Sequence, residues 1–209
     1  MPTTRSYALA AAAIALAGTT AAAWFLLQPS NDVLAECGGG IATGAAQIGG
    51  PFELVAHTGE SITDVELIDK PTLVYFGYTF CPDVCPIDAA AMAQTRAILE
   101  EGGRSIGTAF ITIDPARDTV EALSDFVYNL DPKMVALTGS DEQIAAAAKA
   151  YRVYYQKADT DDPEFYLMDH SAFTYLMAPG HGFLDIFRHG DPPEAMAKTT
   201  ACYVDALAG

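Results

Sequence analysis

Two closely spaced cysteines are the residues best suited to chemistry in this chain. Cys81 and Cys85 are separated by three residues in the segment FGYTFCPDVCP at 76–86, and each is followed by a proline. A structural disulfide, a thiol–disulfide redox pair and a metal site all use cysteines at short spacing. Because the thiolate both attacks disulfides and binds metals, the rest of the chain must decide among these three uses.

The cysteine pair lies between a predicted strand and a predicted helix. Residues 73–76, LVYF, form a continuous apolar run, which indicates a strand covered on both faces. Residues 87–103 are rich in helix formers and end at two glycines, which predicts a helix. Residues four apart share a helix face, so with Cys81 and Cys85 in the first turn both sulfurs can point at one atom. The positive end of the helix is expected to favour thiolates there.

The remaining pattern alternates strands and helices and ends with a hairpin and a helix. Strands are predicted at residues 106–113, 134–137, 172–177 and 183–187, and helices at residues 119–130, 141–151 and 192–207. This order predicts an α/β fold with a mixed central sheet flanked by helices. A cysteine pair where the first long strand meets its helix is typical of a thioredoxin-like fold, although that fold commonly places only two residues between its cysteines.

A metal site would need a third ligand, because two thiolates alone make a poor cage. The chain has four histidines, of which His170 has the most suggestive setting. It ends a polar loop and directly precedes the predicted strand at 172–177, from which its side chain can reach over the sheet edge to the cysteines. His57, His181 and His189 are interpreted as structural or solvent-exposed.

Two soft thiolates and an imidazole are a donor set that suits Cu(I), and also Zn(II) with an open position. Trigonal coordination by Cys81, Cys85 and His170 satisfies Cu(I), whereas Cu(II) would add a further ligand. Met168 and Asp169 lie near enough in sequence to be considered as that ligand. Core packing is the favoured interpretation for the methionine, and loop capping for the aspartate.

The N-terminal part of the chain predicts a membrane anchor followed by a tether. Residues 7–28 contain no charged side chain and are long enough to span a bilayer, with Arg5 before them and Trp24 near their far end. A cleaved signal peptide is the alternative, but the apolar run is about twice the length of an ordinary signal-peptide core. The predicted segments are a cytoplasmic N-terminus at 1–6, a single transmembrane helix at 7–28, a Gly/Ala-rich tether at 29–50 and the folded domain at 51–209.

This topology predicts an anchor in the bacterial cytoplasmic (inner) membrane and a globular domain in the periplasm, where unprotected thiols become disulfides. The chain has 27 acidic and 11 basic residues, which gives a formal net charge of −16. This charge argues against nucleic acid or an anionic membrane surface as a partner. A solvated acidic surface is its simplest interpretation, and steering of a basic protein is the alternative.

Several segments resemble the Sco/SenC family, copper-binding proteins of thioredoxin-like fold that help to assemble the CuA centre of cytochrome c oxidase. The matching segments are YFGYTFCPDVCP, ITIDPARDT, LTGSDEQI, YRVYY and DHSAFTYLMAPG. The resemblance implies copper held by Cys81, Cys85 and His170, and an N-terminal anchor with the domain outside the cytoplasm. The implied partners are cytochrome c oxidase subunit II or another cuproprotein as recipient, and a periplasmic copper donor upstream.

Two further cysteines fall outside that ligand set. Cys37 lies in the predicted tether and Cys202 in the last predicted helix. They are either two unrelated thiols or a disulfide that pins the tether to the helix. Such a bridge would close a long loop and stabilise the fold by a few kcal/mol.

Two functions of different classes fit these residues. In the first, the protein is a copper metallochaperone that passes its metal to an oxidase subunit by ligand exchange. In the second, it is a thiol–disulfide oxidoreductase in which Cys81 and Cys85 cycle between dithiol and disulfide and reduce the oxidase cysteines. The two are compatible, because copper binding itself needs the reduced pair. A peroxidase of similar fold is a weaker third option, since no peroxidatic cysteine motif is found.

Overall fold

The computed structural model of this chain describes residues 33–38, 48–159 and 165–208. Nearly all of these residues belong to one compact unit, Leu34–Gly209. The helices within the described ranges are all too short or too polar to cross a membrane. The predicted transmembrane helix at 7–28 and most of the predicted tether at 29–50 lie outside the described residues.

A seven-stranded mixed sheet forms the centre of the domain, and a separate pair of strands lies outside it. The strands are β1 (Glu53–Ala56), β2 (Ser61–Thr63), β3 (Thr72–Gly77), β4 (Gly107–Thr112), β5 (Val135–Thr138), β6 (Tyr155–Lys157), β7 (Met168–His170), β8 (Phe173–Ala178) and β9 (Gly182–Arg188). The large sheet has the order β2-β1-β5-β4-β3-β8-β9, and β6 pairs with β7. Parallel pairing joins β3, β4 and β5, whereas the outer strands are antiparallel to their neighbours.

Helices connect and cover these strands. They are α1 (Asp64–Leu67), α2 (Val84–Glu101), α3 (Val120–Leu130), α4 (Asp141–Ala150) and α5 (Pro193–Ala208). Helix α2 packs against α5 and α3, and α4 packs against β1. The Ser140 side chain accepts a hydrogen bond from the Gln143 amide and so caps α4, as the sequence signal predicted. The predicted α/β fold with a mixed sheet and flanking helices is confirmed.

Strand β3 is the most deeply buried strand and fixes the start of the cysteine loop. All six of its residues are buried, as expected from the continuous apolar run that predicted it. The Phe76 ring packs 5.1 Å from the Tyr151 ring and 6.4 Å from the Tyr175 ring, measured between centroids. Each large apolar side chain buried in this way stabilises the fold by about 2–3 kcal/mol. The end of β3 is therefore a rigid support for the residues that follow it.

A disulfide joins Cys37 to Cys202, the pair whose bonding the sequence left open. It connects the segment before the domain to the last helix and closes a loop with a sequence separation of 165 residues. Cys81 and Cys85 are free thiols. The four cysteines thus divide into one bonded pair and one open pair.

Candidate metal centre

The two free cysteines lie at the junction between β3 and α2. Strand β3 ends at Gly77, Cys81 lies in the connecting loop, and Cys85 is the second residue of α2. A Cβ atom on Gly77 would lie only 3.0 Å from the Cys85 sulfur and 2.7 Å from the Tyr75 ring. Glycine at the end of the strand therefore allows the Cys85 sulfur to pack directly against the backbone.

Cys85 lies in the first turn of the helix, whereas Cys81 does not. Helix α2 begins at Val84, so Cys81 precedes it by three residues. The Asp83 side chain makes no capping hydrogen bond, although Asp83 occupies the N-cap position. The amide of Cys85 instead donates a hydrogen bond to the Cys81 sulfur, with N···Sγ 3.3 Å. The Cys81 sulfur thus satisfies one of the free amides at the start of the helix.

His170 reaches the cysteines from the separate pair of strands. It is the last residue of β7 and lies opposite Tyr155 in the β6–β7 ladder. The sequence placed it in a loop before a strand, so this short ladder was missed. The rings of Tyr75 and Tyr78 meet the imidazole edge-to-face, at centroid distances of 6.1 and 5.9 Å. Two aromatic walls and a strand therefore fix the orientation of the imidazole.

The hydrogen bonding of His170 identifies which ring nitrogen is available to a metal. Nδ1 lies 3.2 Å from the carbonyl oxygen of Ser171. A carbonyl oxygen can only accept, so Nδ1 carries the proton in this contact. In the neutral ring Nε2 then keeps its lone pair, and Nε2 is the nitrogen that faces the Cys85 sulfur. Such support of the second ring nitrogen is the usual arrangement for a metal-binding histidine.

The structure brings the three predicted residues together in one cluster. The sulfur of Cys85 lies 3.4 Å from Nε2 of His170. One ligand atom from each of Cys81, Cys85 and His170 can be chosen so that all lie within 4.8 Å of one another. Cys85 and His170 are separated by 85 residues in the sequence, so the fold, not the local spacing, creates this site.

Burial favours the uncharged forms of Cys85 and His170 in this cluster. Burial raises the pKa of the Cys85 thiol, and its contact with Cys81 raises it further. This corrects the expectation that the helix end favours a thiolate at both cysteines, because desolvation outweighs the helix dipole at Cys85. Burial also lowers the pKa of His170, which favours the neutral imidazole. A protonated Cys85 can then donate its S–H to Nε2, in the direction that a shared metal ion would occupy.

Comparison with known proteins identifies the family. The sequence pattern of the SCO1/SenC family matches residues 41–205. This chain belongs to the SCO1/SenC family. The SenC protein of Rhodobacter capsulatus is 46% identical over 204 residues, which cover 98% of this chain and 91% of that protein. The human mitochondrial SCO1 homologue is 40% identical over 77% of this chain, which spans only 54% of that longer protein.

Solved Sco structures share the fold described above. Arabidopsis thaliana ScoI, solved with copper bound, has a TM-score of 0.71 and 37% identity, covering 77% of this chain and 99% of that chain. BsSco, a member of the Sco family of cytochrome c oxidase assembly proteins, has a TM-score of 0.58 and 22% identity over 73% of this chain and 91% of its own. At that lower identity BsSco supports the fold alone.

An arginine clamp connects the two ligand-bearing segments of this SCO1/SenC domain. Arg117 pairs with the buried carboxylate of Asp114, which also accepts a hydrogen bond from the Tyr166 hydroxyl at 2.8 Å. Arg117 Nη1 donates to the Tyr166 carbonyl oxygen at 2.9 Å, and its guanidinium lies 3.6 Å from the centroid of the Tyr166 ring. The same guanidinium lies 4.7 Å from the centroid of the Phe80 ring, next to Cys81. We call Asp114, Arg117 and Tyr166 the arginine clamp.

Asp118, the residue after Arg117, also holds the cysteine loop in place through hydrogen bonds to Thr79. Its fully buried carboxylate accepts hydrogen bonds from the Thr79 amide at 3.0 Å and from the hydroxyls of Thr79 and Thr112. Burial raises the pKa of Asp118 although these hydrogen bonds oppose the shift. The sequence predicted a helix start in this segment, but it did not reveal that Asp118 holds the cysteine loop. The signal available in the sequence was the group of charged residues Asp114, Arg117 and Asp118 between a predicted strand and a predicted helix.

A third buried carboxylate, that of Asp88, lies next to the cysteines on α2. Asp88, one turn after Cys85 on α2, bonds to His189 with Oδ1···Nδ1 2.8 Å. Burial is the main cause of the raised pKa of the Tyr75 hydroxyl, and its contacts with Cys85 and Asp88 raise this pKa further. His189, interpreted from sequence as structural or exposed, is therefore a structural partner of α2.

The other residues considered as ligands lie elsewhere or make other contacts. His57 Nδ1 accepts a hydrogen bond from the Ala136 amide, and His181 is exposed in the β8–β9 turn. Met168 is partly buried against the core, and Asp169 is exposed.

Proposed function

We propose that this chain is a membrane-anchored copper metallochaperone that binds copper through Cys81, Cys85 and His170 and delivers it to the CuA site of cytochrome c oxidase. The observation that carries the proposal is the cluster of two free thiols and one neutral imidazole. The copper-bound Arabidopsis relative supports the choice of metal. Membership of the SCO1/SenC family, which the sequence resemblance associates with assembly of the CuA centre, supports the destination.

The donor atoms fit the cargo in chemistry and in spacing. Soft sulfur ligands and an imidazole suit both Cu(I) and Zn(II), and the copper-bound relative favours copper. Cu(II) would recruit a further ligand. With metal–sulfur bonds of about 2.3 Å and metal–nitrogen bonds of about 2.0 Å, ligand atoms in a trigonal site lie about 4 Å apart. The Cys85–His170 separation of 3.4 Å and the upper limit of 4.8 Å bracket that value. Adjustments of less than one ångström would complete the site.

Exposure differs among the three ligands and suggests an order of exchange. Cys81 is half-buried, whereas the Cys85 sulfur lies beneath the surface. An incoming ligand from another protein therefore reaches the metal from the side of Cys81. Cys85, the fully buried ligand, holds the metal from the inner side until the exchange is complete. Both thiols must be reduced and must lose their protons for copper to bind.

The proposed location is the periplasmic side of the bacterial inner membrane. Residues 7–28 supply the proposed anchor, since they are uncharged and long enough to span the hydrocarbon layer. The Cys37–Cys202 disulfide supports an oxidising compartment, where such bonds persist. The proposed recipient is cytochrome c oxidase subunit II or another cuproprotein, and a periplasmic donor would supply the copper.

Titration with Cu(I) tests the proposal directly. The full chain in detergent, reduced and kept without oxygen, should bind one Cu(I) against a competing chelator. Cys81→Ser, Cys85→Ser and His170→Ala should each weaken this binding strongly. His181→Ala is the matched control, because His181 is an exposed histidine in the β8–β9 turn. Wild-type affinity in His170→Ala would refute the three-ligand site.

A thiol–disulfide reductase is the second candidate. It is favoured by the two free thiols and by the helix-start amide that contacts the Cys81 sulfur. A reductase needs the cysteines but no histidine ligand. His170→Ala should therefore lose copper binding and keep thiol exchange with a small disulfide substrate. If His170→Ala lowers both activities equally, thiol exchange cannot be separated from the metal site.

A further inference from the structure

Four exposed apolar side chains lie within five positions of a proposed ligand in the sequence, and we call them the apolar rim: Phe80, Ile87, Phe165 and Leu167. We propose that the apolar rim is the docking surface for a protein that exchanges copper with this chain and that presents basic residues around an apolar contact. This inference rests on the proposed function, and it adds the surface and the chemistry of the partner.

Exposed apolar surface is concentrated near the ligands. In the described part of the chain, eight large apolar side chains are exposed. The rim residues supply four of them, and each lies within five positions of Cys81, Cys85 or His170 in the sequence. Phe80 and Phe165 also contact each other, with ring centroids 6.3 Å apart, although they come from the two different ligand-bearing segments. Apolar side chains grouped in this way mark interaction surfaces.

The rim is held in place before any partner arrives. The guanidinium of Arg117 lies between the rings of Phe80 and Tyr166, at centroid distances of 4.7 and 3.6 Å. Arg117 is itself fixed by Asp114 and by the Tyr166 carbonyl oxygen. Phe80 is therefore supported from below while 48% of it remains exposed. A preorganised aromatic contact binds with a smaller loss of conformational entropy.

The rim adjoins the half-buried cysteine of the proposed metal site. Cys81 is the half-buried cysteine, and Phe80 is its immediate neighbour in the chain. Cys85 is fully covered, so the proposed site is closed on that side. A protein ligand that comes within bonding distance of the metal from the side of Cys81 must then contact the rim. Small chelators can reach the metal without doing so.

Charge at the border of the rim identifies the partner as basic. Three aspartates close to the rim residues in the chain are exposed, Asp83, Asp159 and Asp169, and they outnumber one exposed lysine, Lys157, whose Nζ lies 3.6 Å from the centroid of the Tyr166 ring. The whole chain carries a formal net charge of −16. A second copy of this chain would bring like charges together, and an anionic bilayer would be repelled. A protein with lysine or arginine around its apolar contact is attracted and is also guided during encounter.

The test compares copper transfer to a protein with copper transfer to a small chelator. The full chain, loaded with Cu(I), is mixed with the copper-free soluble domain of cytochrome c oxidase subunit II or with bathocuproine disulfonate. We expect Phe80→Ala and Phe165→Ala to slow protein transfer by about tenfold or more, as for aromatic residues central to an interface. Transfer to the chelator should change by less than about twofold.

Matched controls separate docking from general effects of lost apolar surface. Tyr128→Ala and Val65→Ala remove side chains that are 77% and 75% exposed and lie away from the cluster. They should transfer at the wild-type rate to both acceptors. For charge, Asp159→Lys should slow protein transfer at low salt and lose this effect at high salt. Glu101→Lys, at the far end of α2, should leave transfer unchanged.

The outcomes distinguish this inference from the proposed function. Equal protein-transfer rates for rim and control variants would overturn the docking surface and leave copper delivery intact. Copper binding by the wild type without transfer to the oxidase domain would overturn delivery, and the docking surface with it. A wild-type dimer that is lost in Phe165→Ala would assign the rim to self-association and also overturn the inference. If the wild type sediments with anionic vesicles and Phe165→Ala does not, the rim binds a membrane, and the inference is overturned as well.

Discussion

Replacement of Arg117 by methionine should destabilise the domain and weaken copper binding together. The substitution keeps an apolar stem but removes the guanidinium that pairs with Asp114 and bonds to the Tyr166 carbonyl oxygen. Asp114 then stays buried with its charge uncompensated, which costs about 3 kcal/mol of stability. This value is the low end of the range for breaking a buried ion pair, and it applies because Arg117 is partly exposed. In a domain of this size we expect Tm to fall by about 6–12 °C. Affinity for Cu(I) should fall by up to about 100-fold, because the His170 segment loses one of its connections to the cysteine loop.

Arg104 provides a matched control for this substitution. It forms a similar pair of hydrogen bonds to Asp205, at 2.8 and 2.7 Å, but Arg104 is partly exposed, Asp205 is exposed and the pair is remote from the cluster. Arg104→Met should therefore change Tm much less than Arg117→Met and leave the copper affinity unchanged. Differential scanning calorimetry and chelator competition measure the two effects. Equal Tm values for the two variants would refute the assignment of Arg117 as a clamp.

Three further outcomes follow from the structure. Replacing both Cys37 and Cys202 by serine should lower the unfolding free energy by up to about 5 kcal/mol in guanidinium titrations, because a loop spanning 165 residues is no longer closed; unchanged stability would contradict a structural bridge. The apparent Cu(I) affinity should rise about tenfold per pH unit from Cys85 alone, since its raised pKa keeps a proton there that copper must displace. The lowered pKa of His170 means that it adds no proton near neutral pH, and isothermal titration in buffers of different ionisation enthalpy counts the protons released. Gly77→Ala should weaken copper binding without removing a ligand, because the new methyl group would press on the Cys85 sulfur; wild-type affinity in a chelator competition would show that the contact is unimportant.

The parts of the fold that the sequence predicted are those whose burial dictates residue type. Strand β3 was evident because both of its faces are covered, which leaves no polar position in LVYF. Helix α4 was evident from its capping signal at Ser140 and its alanine content. The cysteine turn was evident from its position between a buried strand and a helix. His170 was predicted from its position between a polar loop and a predicted strand, from which its side chain can reach over the edge of the sheet.

The missed features depend on contacts between distant residues. Strands β1 and β2 are short and partly exposed, and β6 and β7 have three residues each, so none has a long enough pattern to be distinguished from a loop. The arginine clamp joins positions 49 residues apart, and local spacing contains no trace of that contact. The start of α2 was placed three residues late, because Pro86 was taken as the boundary whereas it lies inside the first turn.

The four cysteines of this chain impose opposite demands on its surroundings. One couple must remain joined to brace the last helix, and the other must remain open to receive its cargo. Whatever donates electrons to the open couple must act on it while sparing the bridge, which requires either a gap between their reduction potentials or a selective enzyme. Purification in strong reductant would therefore prepare the site and loosen the scaffold in the same step.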